Sequence, residues 1–447
     1  MRRTLMTGLW FGVLALSAIA RAQNAAEEQK VTPAAVDGQK EPQRPGLVER
    51  TVTSFWTDDE PGAGRGIHLG PFFPRVEVVS SGGGLAPMLH FWAPDIGGTP
   101  LDIHASASYS IYTYQYYDVQ VGLVPHNGEH LPRMERGTGP LFPLSDLEKT
   151  AGMPGFNIYA SARYRDYPRE DFYGLGATSL LSARTDYRLK DGLYEGVVRF
   201  GVPHFSLMAR AGLFHSSISP GTDSAFPSTE LSNSAATAPG LFVSTDFVHL
   251  SAGAWLELRD EPGNPHQGAS LGVAYSRFDD RHGNAFQFNR AIVDAREYIP
   301  LGSKRHVIAL RQATSLDTPD AGSSVPFYMQ SSLGSNTFLG GYRSFRFRDD
   351  KLLALEAEYR FEMIPKLELA LIYQTGKVFP TMSEFGLRNL RNSWGAGLRL
   401  KSPKKVHARV DVLHSPEGTR VHLDLGPSFC RLLCSGGAGL PGDEEEP

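Results

Sequence analysis

The chain has 447 residues, 21% of them charged and 41% hydrophobic, with a formal net charge of −4. That composition excludes a disordered chain and a bundle of membrane helices, and the small net charge gives no reason to expect nucleic acid as a partner. Gly (47), Tyr (17) and Phe (25) are abundant, as in turn-rich β structure girdled by aromatics.

Residues 1–22 read as a secretory signal: Arg2 and Arg3 supply the charged end, Leu5 to Ala20 the apolar run, and Ala20-Arg21-Ala22 a cleavage site before Gln23. Residues 23–70 are polar with no sustained period, the pattern of a mobile periplasmic leader. No later stretch reaches the roughly 18 apolar residues of a membrane helix. If the exported chain re-enters a membrane, it does so as strands.

From residue 86 the pattern becomes period-two alternation, the mark of strands with two unlike faces. Leu101, Ile103, Ala105, Ala107, Tyr109 and Ile111 oppose Asp102, His104 and three serines. Leu353, Leu355, Ala357, Tyr359 and Phe361 oppose Glu356, Glu358 and Arg360, and Val406, Ala408, Val410 and Val412 oppose His407, Arg409 and Asp411. The predicted strands are 86–93, 101–112, 114–124, 155–166, 178–189, 193–202, 205–216, 249–259, 266–278, 285–299, 304–317, 351–362, 366–379, 394–400, 405–413 and 419–429. Residues 72–79 and 239–247 compete for strand status. Many of the segments run about ten residues or more, long enough for a tilted strand to cross a bilayer.

The fold expected is all-β, a sixteen-stranded antiparallel transmembrane barrel over 71–429, followed by a periplasmic tail at 430–447. An even count brings both ends of a closed sheet to one side. The three longest predicted connections, 125–154, 217–248 and 318–350, follow odd-numbered strands and are expected outside. Most even-numbered connections are tight turns, with 167–177 and 260–265 as exceptions.

Within the last long connection, residues 338–350 read FLGGYRSFRFRDD. This stretch, with AEYRF (357–361), ALIYQTGKVF (370–379), LELRDEPGNPHQG (256–268) and EDFYGLGATS (170–179), resembles the bacterial surface antigen family. These are the BamA/TamA-type barrels that insert or export proteins at the outer membrane. The resemblance implies a sixth extracellular loop folded back into the lumen, here 318–350, with Leu339, Gly340, Gly341, Tyr342, Arg343, Arg346, Arg348 and Asp349 as its motif. In that family an arginine of the loop is thought to pair with an aspartate of the wall. Here those positions are Gly340 and Gln374, so both charges are absent together and neither is stranded. Arg343, Arg346 and Arg348 are therefore expected to anchor the loop on Glu356 and Glu358, since a guanidinium binds carboxylates bidentately. A terminal aromatic of the last strand, Phe429, resembles the signal read by the outer-membrane assembly machinery, although a tail follows it. The stretch before the first strand is too short for the family's POTRA module, so a protein partner is expected to supply any periplasmic arm.

Other motifs carry little chemistry. HNGEH at 126–130 matches an inverted zinc-protease signature, but Pro125, Gly128 and Pro132 argue against the helix it needs. GLGATS at 174–179 lacks the third glycine of a dinucleotide fingerprint. Cys430 and Cys434 can close one small disulfide or stay free. No catalytic residue, metal or cofactor is expected. The partners expected are outer-membrane lipid, the machinery that inserts the barrel and a periplasmic protein. The location expected is the outer membrane of a Gram-negative-type bacterium. The function that follows is a part in outer-membrane protein or lipid assembly or translocation. The alternative is a passive channel or structural barrel plugged by its own loop.

Overall fold

The computed structural model describes residues 70–78, 80, 83–125, 144–283, 285–335 and 338–424. The signal, almost all of the leader, HNGEH, Phe429, both cysteines and the tail lie outside the described residues.

Sixteen strands form one antiparallel sheet in which each strand is hydrogen-bonded to the next in sequence. They are β1 (Phe72–Val78), β2 (Leu85–Ala93), β3 (Asp102–Tyr109), β4 (Gln115–Leu123), β5 (Gly155–Phe172), β6 (Thr185–Val202), β7 (Phe205–Pro220) and β8 (Thr245–Glu257). After them come β9 (Gly268–Asp280), β10 (Phe288–Leu301) and β11 (Ser303–Pro319). The sheet resumes with β14 (Lys351–Ile364), β15 (Leu367–Phe379), β16 (Arg391–Lys401), β17 (Val406–Ser415) and β18 (Gly418–Asp424). Between β11 and β14, the short strands β12 (Ser331–Leu333) and β13 (Phe347–Asp349) pair only with each other. A short helix, α1 (Leu144–Lys149), precedes β5. No ladder joins β1 to β18 among the described residues.

The sheet curls into a barrel around the β11–β14 connection. From inside, that connection touches β6 through Arg348 and Tyr187 and β18 through Gly340 and His422. The two faces reverse the order of a soluble protein. Val198, Leu250, Leu371 and Val410 are exposed outward, while Val197, Ser251, Ile372 and Asp411 beside them in sequence are buried inward. Lipid accepts the outer row, and the ladders between neighbouring strands satisfy the backbone groups that hydrocarbon cannot. Buried charges line the inner wall as matched pairs: Arg290–Asp317 at 2.6 Å, Arg311–Asp294 at 2.5 Å, Arg360–Glu368 at 2.7 Å and Arg399–Glu358 at 2.6 Å.

The total of sixteen holds, but two assignments that produced it do not. Residues 72–78 form the first strand; Pro74 is tolerated because β1 lies at the sheet edge. Predicted strands 178–189 and 193–202 are one strand, β6. Asp191-Gly192 looks like a turn, yet Asp191 points inward and binds Arg165 at 2.5 Å. The shift moves the connection before β5 to the opposite end from the β7–β8 and β11–β14 connections, so 125–154 is not on their side. It also moves the 173–184 connection to their side, removing one exception to the alternation. We call the end carrying the β11–β14 connection the upper end and the other the lower end.

Candidate functional site: a loop docked in the barrel

Residues 320–350 leave β11 at the upper end and fold into the lumen. Their tip is the Leu339-Gly340-Gly341-Tyr342 turn, in which Leu339 takes a left-handed φ of 56°. The wall grips this turn by its backbone. Gly340 N–H donates to Gln374 Oε1 on β15 (2.7 Å), and Gly341 N–H donates to Ser393 Oγ on β16 (2.8 Å). In return, the Gly341 carbonyl accepts from Ser415 Oγ on β17 (2.8 Å), and the Gly340 carbonyl is 2.7 Å from His422 Nε2 on β18. Four successive strands thus hold two glycines. A Cβ on Gly341 would lie 2.6 Å from the carbonyl carbon of His414, so only glycine fits without a shift. Gln374 also donates to Glu356 Oε1 at 2.7 Å, tying the turn to β14. At the positions where the family resemblance implies Arg and Asp, a backbone amide meets a neutral side-chain amide.

The arginines do not anchor where expected. Glu358 is taken by Arg399 and Glu356 by Gln374, so neither faces a loop guanidinium. Arg346 instead binds Glu417 in the β17–β18 turn (2.8 Å) and donates to Ser179 Oγ and the Ser179 carbonyl in the β5–β6 connection (2.9 and 2.8 Å). Arg348 is fully buried and hydrogen-bonds the Phe327 carbonyl (2.9 Å) and Tyr187 Oη (3.1 Å). Four rings surround its guanidinium, those of Phe172, Tyr187, Phe327 and Phe345, with centroids 5.6–5.9 Å away. Their negative faces offset part of the charge that a carboxylate would otherwise balance. Arg343 is half-buried and interacts electrostatically with Asp171. Tyr342 packs on Phe347 at 5.2 Å.

Asp349 closes the β12–β13 pair, with no cationic partner at hydrogen-bond range among the described residues. Burial pushes its carboxyl up to about 6, and the neighbouring Asp350 charge adds to that rise against the bond the Asp350 N–H donates to it. Above this level the upper lumen is filled by aromatics, among them Phe172, Tyr187, Phe247, Phe288, Phe327 and Tyr328.

The lower end is closed by elements that the sequence pattern did not reveal. Helix α1 inserts Leu144 and Leu147 onto Val197, Met208 and Trp255. Asp146 binds Arg210, and Glu148 binds Arg296 (2.5 Å) with Arg259 at 3.4 Å. Burial alone would push these carboxyls up; the guanidiniums overcome it and hold both below the usual carboxylate range. Beside it, the β8–β9 turn reaches across to β14, where Arg360 donates to the Pro265 carbonyl and Asn264 Oδ1 (both 2.9 Å). The Leu-Ser-Asp-Leu-Glu-Lys run at 144–149 was the available signal, since its two leucines lie three apart on one helix face.

Fold and site together define a sixteen-stranded antiparallel membrane barrel with a loop from one end docked inside it. Residues 204–412 match the Omp85 superfamily domain. The match lies in the barrel segment, and the sequence resemblance to BamA/TamA-type surface antigen barrels points to the same superfamily. Among solved structures, the chain is similar to BamA from Haemophilus ducreyi lacking POTRA domains 1–3, with 13% identity and a TM-score of 0.51, covering 77% of this chain and 65% of that one. It is also similar to CdiB from Acinetobacter baumannii, at 11% identity and a TM-score of 0.44, covering 83% of this chain and 58% of that one. The chain therefore spans less than two thirds of either relative. No curated protein matches it. The Omp85 superfamily match agrees with an outer-membrane location.

Proposed function

We propose that this protein takes part in assembling or translocating protein or lipid at the outer membrane, without catalysis. The observation that supports this most is the clasp of Gly340-Gly341 by β15, β16, β17 and β18 inside an Omp85-type barrel. It couples a lumen loop to the strands nearest the open seam, the region that must change if anything is to pass sideways into lipid. On this reading residues 1–22 export the chain, the upper end faces outward, and a periplasmic protein supplies whatever arm delivers cargo. Phe429 would serve the protein's own insertion by the assembly machinery.

The second reading, a passive channel or plugged structural barrel, draws support from the filling of both ends of the lumen. Crosslinking in intact outer membranes, followed by identification of the captured proteins, separates the two. An assembly role predicts a reproducible periplasmic or client protein captured through the lower end. A steady conductance in planar bilayers, with no captured partner, would overturn it in favour of the channel.

A further inference from the structure

We propose that residues 144–154 are a displaceable plug, docked in the lower lumen so that they can leave as a unit without stranding a barrel charge. This goes beyond the functional reading and does not depend on it. Every arginine that the plug engages also has a partner on the barrel wall, Arg296 sharing Asp294 with Arg311. Arg210 keeps Glu195 (3.1 Å), Arg259 keeps Glu257 (2.5 Å) and Arg296 keeps Asp294 (3.0 Å). Arg199 donates to the carbonyls of Thr150 (2.6 Å) and Met153 (2.8 Å), yet also to Asn157 Oδ1 (2.9 Å) and Ser206 Oγ (3.2 Å) on the wall. Removing one partner of a buried ion pair is unfavourable because the other charge is left alone. Here departure of Asp146 and Glu148 leaves no arginine alone, and the two carboxylates go out to water.

The backbone points the same way. Thr150 N–H donates to the Asp146 carbonyl, Ala151 to Glu148 and Met153 to Thr150, all within the segment, so release breaks none of the barrel ladders. The apolar seat is shaped for it. Gly272 leaves room for the Trp255 ring, which a Cβ there would meet at 2.5 Å, and that Cβ would also lie 3.2 Å from Leu144 Cδ1. The plug thus closes the lower lumen while the β11–β14 loop closes the upper, each held by different chemistry.

Amide hydrogen exchange on the full chain in a lipid nanodisc tests this. The expected result is that the amides of 146–153 exchange at least about 100-fold faster than the ladder amides of β7 and β8, since local openings lie well below global unfolding. The double variant Asp146→Asn/Glu148→Gln should speed the segment by about tenfold more and leave β7 and β8 unchanged. A segment as protected as the ladders, or a variant that speeds both equally, would overturn the proposal. An independent readout uses Met208→Cys with Cys430→Ser and Cys434→Ser. Its modification by an impermeant maleimide should rise about tenfold when the plug carries the two amides. An unchanged rate would also overturn it.

Discussion

At the residue scale, the loop is held by contacts that differ in kind, and each responds differently to substitution. Arg348 sits among four rings and on the Phe327 carbonyl, so Arg348→Leu loses the cation–π attraction and leaves that carbonyl with only the longer bond from Gln330 N–H (3.3 Å). The expected loss is about 2–3 kcal/mol, seen as a lower melting temperature, with little recovery in Arg348→Lys, whose point charge lacks the planar fork. Arg346 and Glu417 should couple by about 1–2 kcal/mol in a double-mutant cycle on unfolding free energy. The same cycle on Arg346 and Glu358 should return no coupling, because Arg399 already occupies that carboxylate. Asp349 gives a pH dependence. Its folded-state value of about 6 stands above the unfolded value of about 4, so the folded protein binds the proton more readily. Stability therefore falls as pH rises from about 4 through 6, and the full penalty remains above that window. Asp349→Asn should raise stability at pH 7.5 by about 2 kcal/mol and change nothing at pH 4. Equal effects at both pH values would contradict the assignment.

At the element scale, what the sequence revealed follows from the range of the interaction concerned. Alternation located most of the wall, because each side chain's face is set within its own strand. It failed at Asp191-Gly192, where local turn chemistry was overridden by a lumen arginine on the neighbouring strand. Loop partners were still less legible: Ser179 lies 167 positions from Arg346, and no local pattern encodes that meeting. The family resemblance singles out Gln374, and alternation puts His422 on an inner face, but Ser393 and Ser415 lie just beyond the predicted strands 394–400 and 405–413 and carry no signal. The clasp predicts a sharp steric test. Gly341→Ala forces its Cβ into the β17 backbone at His414, so the loop tip should detach and become sensitive to protease near 334–346 while the barrel stays folded. A protease-resistant loop in that variant would show that the turn has room to move.

At the scale of the whole molecule, the lumen is a charged and aromatic interior and the outer wall an apolar coat, with the loop and the plug filling opposite ends. The loop arginines, the clasp and the plug all acquire their burial from that inversion. Fluorescence quenching by brominated lipid, with probes on adjacent residues of several strands, tests it most directly. Strong quenching is expected at Val198, Leu250, Leu371 and Val410 and none at Val197, Ser251, Ile372 and Asp411. Quenching that fails to alternate between these neighbours would contradict it.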